Sequence, residues 1–394
     1  MAPSTAGLGR PNNNALLAVL AVLSAVGMYC VRISCIVHDL PVDFLDVAKT
    51  AILPNGVKMR KDYVGIKPID ENLSLLVAAF IYGPTKWNEA FYWQQVHFLG
   101  QIAVIIAIMN VEACRERNQT SWLKYTAIWT FLYQNLGGAI LIPIWWLLLH
   151  RMSGPKSYFG SGRAVPLKYA RLILPGTIIF YVLPTIVMLL PHEKLSTHES
   201  TIAFWQFSPI LVNIPLWFAS LFSSSSTYQK NKNADILHLR ILYVFLFILS
   251  VAVHWYTIVG ISTSENPDVT GARIFVPSTY TWKKSMDWGL LFIFQGDWLV
   301  VGMTYLIASW VALSDVQRLK KGAASVENVL EGFIAVMTIA IGGGPGAALA
   351  AVWFWREGKM AEVEGGWLSR RDSKVETYDV NVCEANLDLS CKRH

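Results

Sequence analysis

The sequence predicts an all-α fold, a polytopic transmembrane helical bundle with about eight membrane helices. The chain of 394 residues is 54% hydrophobic and only 15% charged, whereas a soluble domain carries about 25% charged residues. Apolar runs long enough to cross a bilayer, about 20 residues each, recur along the chain. These runs lie at 15–37, 91–112, 122–149, 169–190, 201–222, 239–261, 288–313 and 330–355.

The first apolar run is interpreted as a retained membrane helix. It is long for the core of a signal peptide, and no convincing small-residue cleavage site follows it. The connection 38–90 is the longest loop, and its apolar segment 73–82 is too short to span, which favours an interfacial or re-entrant piece. We therefore predict one transmembrane helical domain over residues 1–355 and a polar, disordered tail over 356–394.

Charge and cysteine usage exclude several classes of function. The net charge is +6, but the basic residues lie in loops and in the tail, as expected for membrane topology. Nothing in this pattern predicts nucleic-acid binding. The five cysteines show no metal-ligand spacing, and their odd number argues against a disulfide framework.

The absent motifs narrow the chemistry further. The sequence has no aspartate-rich pair for magnesium diphosphate, and neither of the soluble terpene-cyclase motifs DDxxD and DxDD. It also lacks HExxH, GxSxG and a P-loop, so no metal and no cofactor are predicted. The glycine-rich run 342–346 lies within an apolar stretch and is interpreted as a kink or close-packing site rather than a phosphate loop.

Two carboxylates are the leading candidates for a functional site. Charged residues inside membrane helices are costly and are functional candidates by default, and the run 288–313 contains a single one, Asp297. Glu112 ends the run 91–112, and Arg115 follows three residues later on the same helical face. The alternative is that Glu112 is an interfacial anchor paired with Arg115. Arg32 lies near a helix end, where its side chain can extend to the membrane surface.

A count of depth along eight alternating spans predicts one polar layer. It places Asp297, Gln134, Gln206 and His254 in the same half of the membrane as Glu112, as if they lined one cavity. Each of the three neutral residues has a simpler role available. His254 is also consistent with packing, and the two glutamines with hydrogen bonding between helices. Trp255 and Trp298 lie within the same layer but could belong to the interfacial aromatic belts; the same holds for Trp205.

This combination of groups suits carbocation chemistry. A carboxylic acid in apolar surroundings stays protonated near neutral pH and can act as a general acid. Aromatic faces stabilise a cation, and exclusion of water protects reactive intermediates. The same groups would also suit a proton-coupled transporter of a lipophilic metabolite, which predicts inverted repeats that the sequence does not display. A third alternative is a non-catalytic membrane scaffold, but such a protein would not need a carboxylate deep in a membrane helix.

Three short motifs resemble those of fungal integral-membrane terpene cyclases, in particular those of the macrophorin, ascochlorin and ascofuranone pathways. The motifs are VEACRERN at 111–118, FLYQNLGGAILIP at 131–143 and FQGDW at 294–298. The resemblance implies an enzyme of the endoplasmic reticulum membrane that uses neither a metal nor an organic cofactor. Its substrate would be a lipophilic farnesylated aromatic or polyketide-derived molecule, with functional coupling to a membrane prenyltransferase and an epoxidase.

The resemblance also implies roles for individual residues. Protonation of an epoxide or terminal alkene would start a class II-like cyclisation, with Glu112 as the leading proton donor and Asp297 as the partner acid. Arg115 would orient Glu112, and Gln134 would hydrogen-bond the substrate or an acid. The remaining residues predicted to support the substrate are Asn118, Gln206, His254, Trp255 and Trp298.

Overall fold

The computed structural model describes residues 9–222, 233–322 and 325–366. Within these ranges the chain is helical, and the only β pairing is an isolated bridge between Ile52 and Lys58. The helices are α1 (Asn13–His38), α2 (Phe44–Thr50), α3 (Lys67–Phe80), α4 (Glu89–Cys114), α5 (Thr126–Leu136), α6 (Gly138–Met152), α7 (Leu167–Leu189), α8 (Leu195–Trp205), α9 (Ser208–Leu221), α10 (Asp235–Thr263), α11 (Gly271–Phe275), α12 (Met286–Lys321), α13 (Val326–Gly343) and α14 (345–366).

The helices confirm the predicted all-α polytopic bundle. In the described part of the chain, six of them are long and apolar enough to cross a membrane: α1, α4, α7, α10, α12 and α13. The pair α8 and α9, bent by 42°, is a possible seventh span. The buried core lies around α4, whose apolar window is entirely enclosed by the other helices.

The predicted span 122–149 is not one continuous helix but turns back on itself. It breaks at Gly137, whose φ of +114° is a conformation that favours glycine, and the chain turns back as α6. The Tyr158 hydroxyl beyond one end donates to Asn118 Oδ1 before the other end at 2.8 Å. Because both ends of the segment meet on the same side, α5 and α6 form a re-entrant pair, which we call the first hairpin.

The predicted span 330–355 is also re-entrant. Its break is Gly344, with φ +87°, so the glycine-rich run is the tip of a turn rather than a kink within a helix. Trp310 on α12 donates to the carbonyl of Val329 near the start of α13 at 2.8 Å. Near the end of α14, Glu362 pairs with Lys320, also on α12. Helix α13 therefore begins, and helix α14 ends, on the side where α12 ends. We call this pair the second hairpin.

The tail prediction is wrong for residues 356–366, which continue helix α14. The physical reason is burial of charge: Arg356 and Glu357 are 5% and 0% exposed and pair with groups on other helices. Residues 367–394 lie outside the described ranges.

The first hairpin reverses the expected direction of the later spans. We call the side on which α1 begins the N side. Asn88, at the start of α4, donates to Asp287, at the start of α12, at 2.6 Å. Helix α12 therefore begins opposite the N side, whereas eight alternating spans place its start on the N side.

The chain contains an internal repeat that the sequence did not reveal. A first half (α1, α4 and the first hairpin) and a second half (α10, α12 and the second hairpin) share the same element order and direction. Trp146 lies nine residues after Gly137, and Trp353 lies nine after Gly344 (146 − 137 and 353 − 344). The two indole rings meet edge to face at 5.2 Å. The repeat is parallel, unlike the inverted repeat that the transporter alternative predicts.

Candidate active site

A cavity of about 660 Å³ opens opposite the N side, between α1, α3, α4, α5 and α12. Its size falls within the range of ligand sites, about 300–1,000 Å³. Four rings form an aromatic wall within its lining: Phe80, Phe98, Trp205 and Phe294. Its polar lining includes Arg32, Asn72, Gln134, Asn135 and Asp297. Ile36 and Leu45, 83% and 65% exposed, flank the mouth and give it an apolar rim.

Asp297 is held at the tip of the first hairpin. Its Oδ1 accepts the N–H of Ala139, and its Oδ2 accepts that of Gly138 at 3.3 Å. These are the first residues of α6, and a helix N-terminus offers unpaired N–H groups and a positive dipole end to an anion. The fold therefore stabilises negative charge on this carboxyl group while one side of the group faces the cavity.

Arg32 binds the other helix of the same hairpin tip, α5. Its Nε donates to the carbonyl of Leu136 at 3.2 Å, and its Nη2 donates to that of Asn135. These carbonyls end α5, where a cation is favoured. The predicted extension of Arg32 to the membrane surface does not describe its contacts, since the guanidinium turns to the hairpin. A cation and a carboxylate thus flank Gly137 at one cavity.

The second hairpin uses neutral groups for the same contacts. His254 Nε2 and Trp255 Nε1 lie 3.2 Å and 2.9 Å from the carbonyls that end α13, those of Ile341 and Gly342. Gln101 Oε1 accepts the N–H of Gly346, in the first turn of α14, at 2.8 Å. His254 and Trp255, predicted to support the substrate, instead hold this second tip and do not line the cavity.

The two predicted glutamines bind each other. Gln134 lines the cavity and donates from Nε2 to Oε1 of Gln206 at 2.5 Å. Gln206 is buried at the bend between α8 and α9. The pair joins the first hairpin to that bend, so Gln134 reaches the cavity and Gln206 supports it from behind.

Trp298 turns away from the cavity and belongs to a hydrogen-bonded chain. Its Nε1 donates to His97 Nδ1 at 3.0 Å, and His97 Nε2 lies 3.0 Å from His254 Nδ1. Because His97 Nδ1 accepts from Trp298, the proton of neutral His97 is on Nε2. His97 Nε2 therefore donates to His254 Nδ1, and His254 Nε2 donates to the carbonyl of Ile341. This chain ties α12, α4, α10 and α13 together.

Glu112 lies in a buried ion network on the N side. Its Oε1 is 3.1 Å from Arg115 Nε and 3.3 Å from Arg356 Nη1, and Asn118 Nδ2 donates to its Oε2 at 3.2 Å. Arg115 continues to Glu357. Three further groups extend the network: Arg163, Asp235 and Glu364. Glu112 is 0% exposed and does not line the cavity.

The structure does not bring Glu112 and Asp297 to one site, so the predicted shared cavity is wrong. The bond from Trp298 to His97 places Asp297 level with His97 of α4. Glu112 is fifteen residues further along α4 (112 − 97). At 1.5 Å per residue this is about 22 Å, more than one prenyl-sized pocket spans. Arg115 and Asn118 accompany Glu112.

Arg32, His97 and Gln101 were missed as site residues. The signal for Gln101 was present, since Phe-Leu-Gly-Gln at 98–101 parallels Phe-Gln-Gly-Asp at 294–297. In the ranges 9–222, 233–322 and 325–366, no group of three or more His, Cys, Asp or Glu residues is arranged to hold a metal ion.

Comparison with known proteins gives a consistent set of relatives. The family model described as the CtvD domain matches residues 17–360. The terpene cyclase ascI of Acremonium egyptiacum is 24% identical over 85% of this chain and 90% of its own length. The terpene cyclase DEP1 of Fusarium langsethiae is 26% identical over 78% and 89%.

A third relative is a longer protein. The FAD-dependent monooxygenase verC1 of Penicillium polonicum is 23% identical over 78% of this chain but only 37% of its own length. The comparison with solved structures gave no match.

Proposed function

The chain belongs to the CtvD domain family, and from that membership we propose that it is a membrane-bound terpene cyclase of fungal secondary metabolism, with Asp297 as its catalytic acid. Relatives that match most of their own length are named terpene cyclases. The proposed substrate is a lipophilic farnesylated molecule. The proposed reaction is a protonation-initiated cyclisation that needs no metal.

One observation carries the assignment of Asp297. Gln101 accepts an N–H at the start of the second re-entrant helix, α14, just as Asp297 accepts an N–H at the start of the first, α6. A neutral amide therefore suffices to hold such a tip. The carboxyl group at 297 is not required for that structural task, and it is the one that faces a ligand-sized cavity.

The bonds around Asp297 suit an acid that gives up its proton. The N–H groups of Gly138 and Ala139 stabilise the carboxylate that forms when the acid gives up its proton. The longer contact, 3.3 Å to Oδ2, leaves that oxygen as the proposed proton carrier. Donors already in place when charge develops lower the barrier without further rearrangement.

The reaction conserves the atoms of the substrate. The proton from Oδ2 adds to the epoxide oxygen as a carbon–oxygen bond breaks, or to the less substituted carbon of the terminal double bond, which leaves the positive charge on the carbon that bears the two methyl groups. The electron pair of a neighbouring double bond then closes the ring and moves the positive charge along the chain. Loss of a proton, or attack by a substrate hydroxyl with loss of its proton, ends the sequence, and that proton restores the acid at Asp297. The product is an isomer of the substrate.

Aromatic rings surround the proposed path of the cation. Phe294 meets Phe80 edge to face at 4.9 Å, and Phe80 lies 5.3 Å from Trp205. These rings line the cavity, where their faces can stabilise positive charge without reacting with it. The apolar wall also limits water, which would otherwise trap the cation early.

Glu112 is proposed to be structural rather than a proton donor. Its carboxylate is shared by Arg115 and Arg356, from α14, so it fastens the end of the second hairpin to α4. A carboxyl group enclosed by two guanidinium groups, and about 22 Å along α4 from the level of Asp297, has no access to the reacting end of a substrate at Asp297.

We propose the epoxide rather than the alkene as the group protonated. A relative named FAD-dependent monooxygenase contains a region similar to this chain, which supports an oxygenation step coupled to the cyclisation. A membrane prenyltransferase would supply the farnesyl group, and the endoplasmic reticulum is the proposed location.

The test is conversion of a defined substrate in microsomes. Microsomes containing the full chain receive a farnesylated phenol with or without its terminal epoxide, and products are separated by mass spectrometry. We expect a cyclised isomer of unchanged mass from the wild type, and a loss of about 10²–10⁴-fold in Asp297→Asn. Glu116→Gln is the control, since it makes the same acid-to-amide change at an exposed carboxyl group that does not line the cavity and should keep wild-type activity. Wild-type activity in Asp297→Asn, or vesicle uptake without any isomer, would contradict the proposal.

A further inference from the structure

We propose that Arg32 binds an acidic or hydrogen-bond-accepting oxygen on the head group of the prenylated substrate and so determines which substrates are accepted. The proposal rests on the proposed cyclase function and assigns a specificity residue to its cavity. The ligand class is a prenylated aromatic whose head carries a carboxylate, a phenolate or a carbonyl oxygen.

The first argument is that Arg32 forms no salt bridge within the described residues, although the carboxylate of Asp297 lies near enough to interact with its charge. On the N side, Arg115 pairs with Glu112 and Glu357, and Arg318 pairs with Asp315. Arg32 lies in α1 and binds only the carbonyls of Asn135 and Leu136. Its Nη1 makes no hydrogen bond within the described residues. A guanidinium at a cavity that makes no salt bridge and keeps a free N–H group favours an anionic or accepting ligand.

The second argument is the comparison between the two halves. In the second half, His254 and Trp255 hold the corresponding carbonyls, at 3.2 Å and 2.9 Å, without a permanent charge. A cation is therefore not needed to hold such a tip. The cation is found at the first hairpin, which is also the hairpin at the cavity, and Arg32 lines that cavity.

Neighbouring amides extend the polar site. Asn72 of α3 donates to Asn135 Oδ1 of α5 at 3.0 Å, and both side chains line the cavity beside Arg32. Asp39, at the mouth, is an acceptor suited to a hydroxyl group on the same head. On α3, Asn72 lies eight residues before Phe80 (80 − 72), about 12 Å along the helix, so the cavity has a polar region for a head and an apolar region for an isoprenoid chain.

The position of Arg32 also constrains the conformation of the substrate. Arg32 binds carbonyls just before Gly137, and Asp297 binds N–H groups just after it. A head group on Arg32 and a reacting end on Asp297 must both approach this turn. The isoprenoid chain between them must then fold back on itself, which is the arrangement that ring closure needs.

The experiment compares two substrates in microsomes that contain the full chain. One is a farnesylated hydroxybenzoic acid with a terminal epoxide, and the other is farnesylbenzene with the same epoxide but no head-group oxygen. The variants are Arg32→Gln, which keeps an N–H donor but loses the charge, and Arg32→His, which copies His254. Arg171→Gln is the control, because Arg171 is exposed on α7 and does not line the cavity.

We expect Arg32→Gln to raise KM for the acidic substrate about 10-fold or more, the effect of losing one hydrogen bond to a charged group. Its kcat is expected to change little, and both constants for farnesylbenzene epoxide are expected to equal those of the wild type. Arg32→His should behave like Arg32→Gln at pH 8. An equal effect on both substrates, or no effect on either, would overturn the assignment.

The outcomes separate this inference from the proposed function. If the wild type produces no cyclised isomer from either substrate, the cyclase proposal fails and the inference falls with it. If both substrates cyclise and Asp297→Asn is inactive, but Arg32→Gln shows no preference between them, only the inference fails. Thermal stability of the solubilised variants checks that Arg32→Gln folds; a loss of fold in both Arg32 variants would mean that the cation is structural and would overturn the inference.

Discussion

Gln101 and Asp297 occupy equivalent positions in the two halves of the chain, each accepting an N–H from the first turn of a re-entrant helix. Gln101 Nε2 also donates to the carbonyl of Ser250 at 3.1 Å, so it is satisfied by protein groups on both sides. Asp297 faces a cavity. The same backbone device thus serves as a structural clamp in one half and holds an acid in the other.

This equivalence predicts that stability and activity separate between the two positions. Asp297→Asn keeps an acceptor for Ala139, so its thermal stability in detergent is expected to remain close to that of the wild type while cyclisation is lost. Gln101→Ala leaves the N–H of Gly346 without a partner and is expected to cost about 1–3 kcal/mol. A Gln101→Ala protein that is fully stable but inactive would contradict the equivalence.

Glu112→Gln is predicted to destabilise the protein rather than abolish its chemistry. Removal of the carboxylate leaves Arg115 and Arg356 buried without that partner, and breaking a buried ion pair costs about 3–5 kcal/mol. We expect a low protein level in membranes but near-normal activity per folded molecule. Glu116→Gln, four residues away and exposed, should have no effect. A well-folded but inactive Glu112→Gln protein would instead return Glu112 to the active site.

The two hairpin tips are predicted to tolerate no side chain. An added Cβ at Gly137 would lie 2.9 Å from Val31, and one at Gly344 would lie 2.6 Å from Gln101. Both glycines also have positive φ, so alanine at either is expected to cost more than about 1 kcal/mol. Thermal unfolding in detergent measures the loss. Gly342→Ala, where an added Cβ meets nothing within 4 Å, is the control and should leave stability unchanged.

Phe294→Leu is predicted to change the products more than the protein. The substitution keeps an apolar side chain but removes the ring that meets Phe80 and Phe91 at 4.9 Å. With less stabilisation of the later cations, a larger share of early-terminated products is expected. Product ratios measured by chromatography and mass spectrometry test this. An unchanged ratio at reduced rate would show that the ring only fills space.

Asp70 is predicted to make the attachment of α3 sensitive to acid. The N–H of Val64, with those of Tyr63 and Gly65, holds the pKa of this carboxyl below its ordinary value of 3.8. A lowered pKa means that the stabilisation is complete above the ordinary value and is lost as pH falls through the folded value. We expect proteolysis within 51–66 to be unchanged between pH 7 and 5 and faster near pH 3. Asp70→Asn should show the faster cleavage at pH 7; equal cleavage would contradict this role.

The extent of successful prediction differs between the fold and the site. The apolar runs predicted the helices because each run of about 20 residues can satisfy its backbone only as a helix in lipid. Two of these runs nevertheless turn back at Gly137 and Gly344. Their hydropathy is continuous through the turn, so length and composition alone cannot separate a span from a hairpin.

Whether the segment 122–149 is a span or a hairpin determined which residues were predicted to share a site. Counting 122–149 as a span inverted every later helix and placed Glu112 and Asp297 in one half of the membrane. The structure instead separates them, because the ion pairs of Glu112 lie on the N side and the cavity of Asp297 opens on the other.

The sequence by itself determined an all-α membrane protein, the candidacy of the lone carboxylate in the run 288–313 and the resemblance to terpene cyclases. These properties depend on local composition and on motifs, which are present before the chain folds. Only the tertiary structure decided that Glu112 is enclosed by Arg115 and Arg356, and that Asp297 faces a cavity beside Arg32. Pairing of charges and enclosure of space depend on which distant segments meet, and here two glycine turns decide that.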